Sequence, residues 1–62
     1  MKTNAVKIVI ETENSAFQYG NKQYEVCRIL RRLISDIEGG MDVRTLLDIN
    51  GNVVGSVKGL SK

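Results

Sequence analysis

Three arginines, Arg28, Arg31 and Arg32, lie in the stretch "VCRILRRLISDIEGG" over residues 26–40, whose remaining residues are largely apolar. On a helix they fall on the flank away from the apolar stripe, and Lys22 extends the basic character toward the N-terminus. Guanidinium groups arranged in this way can grip phosphate oxygens. The other reading is a solvated helix flank. Glu25 precedes Arg28 by three residues and Asp36 follows Arg32 by four, spacings at which opposite charges pair along a helix. A net charge of +2 and the lack of an aromatic run to stack bases weigh against nucleic acid. Tyr24, one helical turn before Arg28, adds an aromatic anchor of the type enriched at binding hot spots. Tyr24, Arg28, Arg31 and Arg32 are therefore the candidate partner-binding residues.

Other residue types offer less chemistry. The only cysteine is Cys27 and histidine is absent, which excludes an intrachain disulfide and a zinc site built from the usual ligands. A nucleophilic thiol would also lack an imidazole to activate it, so Cys27 reads as a small residue at the boundary of the helix. "DINGN", Asp48 to Asn52, resembles the start of a calcium loop only superficially. Its glycine comes fourth rather than sixth, and the twelfth position is Gly59 where a bidentate Glu is needed. Asn and Gly tolerate positive φ, so a turn explains these residues without a metal. Glu11 and Glu13, and farther on Asp36, Glu38 and Asp42, supply carboxylates, but so short a chain has little volume in which to separate their pKa values. "GNKQYEV" lacks the glycine spacing of a phosphate-binding loop. No catalytic set, metal site or cofactor motif emerges, and the expectation is a non-enzymatic protein.

The elements that would position these residues are well marked. "AVKIVIET" alternates with period two, Val6, Ile8 and Ile10 on one face, and reads as a half-buried strand. In the connection that follows, Ser15-x-x-Gln18 has the spacing of a capping box, and the lone Phe17 suits a plug for the end of a core. Val26, Ile29, Leu30, Leu33, Ile34 and Ile37 form one continuous face of a helix. Asn21 is placed to cap its start, and Gly39-Gly40 to stop it in a left-handed turn. "VRTLLDINGNVVGSVKGL" reads as a hairpin turning at Asn50-Gly51-Asn52. That three-residue loop directs Leu47, Ile49, Val53 and Val57 inward, and Arg44, Asp48, Ser56 and Lys58 outward.

The expected fold is thus α+β, in the order β-α-β-β. One amphipathic helix packs on one face of a three-stranded, mostly antiparallel sheet, with the third strand between the first two. The uncovered face would carry Ala5, Val9, Leu46 and Val54 among charged and polar residues. Val9 and Leu46 are the candidates for self-association there, since an uncovered face and two open edges invite pairing.

With 62 residues the chain is a single small domain, 1–62. Burying roughly 60% of the unfolded surface at this size about offsets the entropy of ordering the chain. With no disulfide or metal to help, a homodimer is expected. A lone cysteine fits a reducing compartment. In "MKTNAVKIVIETEN" the apolar run is short and contains Lys7, which suits a strand rather than a signal peptide. No stretch approaches the roughly 20 apolar residues of a membrane span. The expected setting is cytoplasmic, without a membrane.

Taken as a set, "IETENSAFQ", "YEVCRILRRLISDIE" and "LLDINGNVVG" resemble a class of small proteins encoded in phage, prophage and plasmid accessory regions of bacteria. The likeness spans most of the chain. It departs from the pattern at Cys27 and at Arg31-Arg32, where alanine and a mixed-charge pair are expected. No catalytic residue comes with the resemblance. It implies an accessory role in a bacterial or phage setting, as a regulator or inhibitor that binds a host protein. The alternative is a nucleic-acid-binding protein that uses the basic helix face.

Overall fold

A computed structural model describes residues 5–60 of the chain. Met1–Asn4, the start of the stretch read above as no signal peptide, lie outside the described residues. The elements are β1 (Lys7–Ile10), a 3-10 turn (Ser15–Phe17), α1 (Lys22–Glu38), β2 (Thr45–Leu47) and β3 (Val53–Lys58). The sheet order is β1-β3-β2, with β3 antiparallel to both neighbours. This is the expected α+β arrangement, with the third strand in the middle.

Local chemistry accounts for the boundaries. Asn21 occupies the N-cap position of α1, yet its side chain makes no capping bond, and its carbonyl accepts the first helical N–H from Glu25 at 2.8 Å. At the far end Gly39 N–H donates to Ser35 and Gly40 N–H to Ile37, each at 3.0 Å. Gly40 has φ +86°, a conformation that glycine adopts without a steric penalty. The short 3-10 turn is capped one residue earlier than expected: Ser15 N–H donates to the Asn14 side chain at 3.0 Å. Gln18 then donates through Nε2 to the Glu13 carbonyl. Phe17 enters the core as its isolated apolar character suggests.

The buried core comprises Phe17, Ile29, Leu33, Leu46, Val54 and Val57, flanked by Ile10, Ala16, Val26 and Val43. Two expectations about the sheet faces fail here. Leu46 is only 4% exposed and Val54 is buried, whereas Leu47, Ile49 and Val53 are exposed. Leu46 is therefore a core residue and has no free surface for self-association, while Val9 does lie exposed. The cause is a shift of the hairpin loop by one residue. Asp48 N–H donates to the Asn52 carbonyl and Gly51 N–H to the Asp48 carbonyl, so the loop is Ile49-Asn50-Gly51. A one-residue shift turns every side chain of a strand to the other face. The shift pairs Leu47 with Val53; Val54 is then an unpaired bulge that drops into the core, and beyond it Leu46 pairs with Gly55, so that Val57 keeps its expected inward place.

Gly55 sits in β3 between Ile10 and Leu46. A Cβ at this position would overlap the carbonyl oxygen of Val9, so the close approach of β1 depends on glycine. Not all of the helical stripe is covered. Ile34 and Ile37 stay exposed although they continue the face that carries Ile29 and Leu33. Among the described residues twelve large hydrophobic side chains are exposed against six that are buried, so the core remains small for the apolar content. No helix among the described residues is long and apolar enough to cross a membrane.

Candidate functional site

The junction between α1 and the hairpin gathers most of the polar chemistry. Glu25, on the first turn of α1, is only 3% exposed. Its carboxylate accepts from Arg28 Nε at 2.9 Å and Nη2 at 2.8 Å, and from the Ile49 N–H at 2.8 Å. Arg28 also reaches the Leu47 carbonyl at 3.3 Å. One turn of helix is thereby tied to β2 and to the hairpin loop.

Asp48 supplies the second buried carboxylate. It accepts the N–H groups of Asn50 and Asn52, both at 2.9 Å, and the side-chain amides of Asn14 at 2.7 Å and Asn52 at 3.3 Å. These bonds close the loop from within and also pin the segment before the 3-10 turn. Among the described residues no buried side-chain nitrogen or oxygen lacks a hydrogen-bond partner.

Both carboxylates are held below their ordinary pKa values. For Glu25 the hydrogen bond from Arg28 is the main cause; burial opposes it and the Ile49 N–H adds to it. For Asp48 burial pushes upward, but the Asn52 and Asn50 N–H groups, the Asn52 amide and the charge of Arg28 together outweigh it. Arg28 is in turn held above its usual value by its bond to Glu25. Ionised at neutral pH and with their oxygens occupied, these carboxylates are placed to hold structure rather than to exchange protons.

The expected partner-binding residues are spread over more than one role. Tyr24 is exposed, and so are Arg31 and Arg32. Arg32 pairs with Asp36 at 3.1 Å, the i,i+4 spacing anticipated, while Arg31 has no ion pair among the described residues. Arg28 points into the Glu25 clamp and is less available to a partner. Cys27 is exposed at the helix start. Among the described residues no group of three or more His, Cys, Asp or Glu side chains is placed to hold a metal ion.

Sequence reasoning identified the ion pairs from their spacing but assigned Glu25 and Asp48 to solvent. The available signal was Asp48 itself. Aspartate at the first position of a turn, with Asn-Gly at the third and fourth, receives N–H bonds from the residues ahead of it.

An open groove of about 500 Å³ runs between α1 and β2. Leu33 and Leu46 line it together with Met41 and Ile49, and Arg32 and Arg44 stand along it. Arg44 is paired with Asp42 at 3.1 Å. No family model, curated protein or solved structure matches the chain.

Proposed function

We propose that this chain is a non-enzymatic interaction module that works as a homodimer and binds a protein partner in the cytoplasm, as an accessory regulator or inhibitor of the phage or mobile-element type. The observation that supports this reading is that, among the described residues, twelve large hydrophobic side chains are exposed around a core of six. Surfaces of that character are covered when a small domain meets another protein. The resemblance of "YEVCRILRRLISDIE" and its neighbouring segments to accessory-region proteins supports the host setting. Of the basic helix face, Tyr24, Arg31 and Arg32 are the groups that face outward, with Arg28 serving as the strut behind them.

The test is a tagged pull-down from bacterial lysate, with and without nuclease, using the natural chain and a Tyr24→Ala, Arg31→Glu, Arg32→Glu variant. Specific proteins recovered after nuclease treatment by the natural chain, and lost by a variant with an unchanged circular dichroism spectrum, are the expected result. Recovery that collapses with nuclease and falls steeply with salt would replace this reading with a nucleic-acid grip. Equal recovery by both chains would remove the helix face from the interface.

A further inference from the structure

We infer that the edge of β2 is where two copies of this chain meet, by antiparallel pairing centred on Thr45; the inference rests on the homodimer reading above. The sheet has two open edges, β1 and β2, and they differ in charge. Lys7 of β1 lies directly across from Lys58 of β3, two like charges on neighbouring strands. Such a pair is unfavourable in itself, and lysine at a strand edge opposes the addition of another strand. β2, Thr45-Leu46-Leu47, carries no charge. The groove beside it holds Arg28, Arg32 and Arg44 together with Asp36, Asp42 and Asp48. Asp48 is buried and Arg28 is tied to Glu25, while the exposed groups form the pairs Arg32–Asp36 and Arg44–Asp42, so the patch is charge-balanced and meets a second copy of itself without net repulsion.

The backbone of β2 presents the groups that pairing needs. Val57 N–H donates to the Arg44 carbonyl, and Thr45 lies opposite Ser56. In an antiparallel ladder the N–H and C=O of Thr45 then point away from β3, and those of Leu47 likewise. The Leu47 carbonyl confirms that direction, because it is met from the helix side by Arg28 at 3.3 Å. The Thr45 groups and the Leu47 N–H remain for a second strand.

Register follows from the side chains. With Thr45 facing Thr45 of the other copy, half-buried Val43 comes opposite Leu47 once in each direction, and Met41 and Ile49 border the pairing from outside the strand. Met41, Leu47 and Ile49 are all among the exposed hydrophobics. The same alignment sets two threonines across from each other, a favourable cross-strand pair. It converts two three-stranded sheets into one of six strands whose outer edges are the lysine-bearing β1 strands.

The experiment uses the full chain in a Cys27→Ser background, with Thr45→Cys as the trap and Val9→Cys on the uncovered sheet face as its comparison. Mild oxidation should convert Thr45→Cys into a disulfide-linked dimer and leave Val9→Cys as monomer. In parallel, the natural chain should elute with twice the chain mass in size exclusion with light scattering. Thr45→Pro, which removes an N–H that points away from β3 and keeps the extended backbone that an edge strand allows, should elute with half that mass and an unchanged circular dichroism spectrum. A natural chain that is dimeric while Val9→Cys cross-links and Thr45→Cys does not would overturn the edge assignment and leave the homodimer standing. A natural chain that is monomeric at every concentration would overturn both.

Discussion

The two ends of α1 are built from the same amphipathic pattern and end in different circumstances. Near its start, Glu25, Arg28 and Ile29 are locked to the hairpin by charge, backbone bonds and packing. Near its finish, Ile34 and Ile37 present the same stripe to solvent. Periodicity therefore specifies which residues share a face, but the length of that face under cover is set by what the rest of the chain supplies. Here the hairpin reaches under the first half, and a polar clamp fixes that docking in one place.

The strongest way to break the contrast is to hollow out the covered half. Ile29→Ala should cost about 3 kcal/mol of stability, the range for truncating a buried aliphatic side chain, read from urea unfolding. Glu25→Gln keeps the shape but removes the charge that Arg28 meets, and should cost about 2 kcal/mol after allowing for the part of Arg28 that remains in water. Acid should weaken the same end. The carboxyls of Glu25 and Asp48 lie below their ordinary values of 4.5 and 3.8, so the unfolded chain takes up these protons first as pH falls. Stability from them is complete above about pH 5 and declines as pH drops through the folded-state values. In Glu25→Gln that decline should be shallower, which a pH series of unfolding curves would show. At the uncovered end, Ile34→Ser should move stability by less than about 0.5 kcal/mol. A large loss there would mean that the two ends are equally supported in solution.

Much of the architecture was legible in the residues themselves. The period-two run of β1, the stripe from Val26 to Ile37 and the Gly39-Gly40 stop each follow from local rules, and the central place expected for the third strand agrees with the sheet order. The Arg28–Glu25 and Arg32–Asp36 pairs could be read from spacing alone. Burial of Glu25 could not, because it depends on the hairpin loop arriving beside the first helical turn from 24 residues away. The faces of the hairpin are hidden from the sequence for a related reason. Placing the turn at residues 50–52 rather than 49–51 sends Leu46 and Asp48 outward, and nothing in the apolar pattern reveals the bulge at Val54. Asp48 is the residue that marks the true turn, because aspartate at a first turn position accepts the N–H groups ahead of it.

The placement of β3 at the centre of the sheet has a consequence for how the chain comes into being. Among the described residues β1 and β2 each pair only with β3, yet β3 follows both in sequence. On a ribosome the helix and the first strands must emerge and wait, because no sheet hydrogen bond is available to them until Val53–Lys58 has been made. A chain stalled before Val53 would carry an amphipathic helix with no sheet to pack on, a natural target for chaperones and proteases.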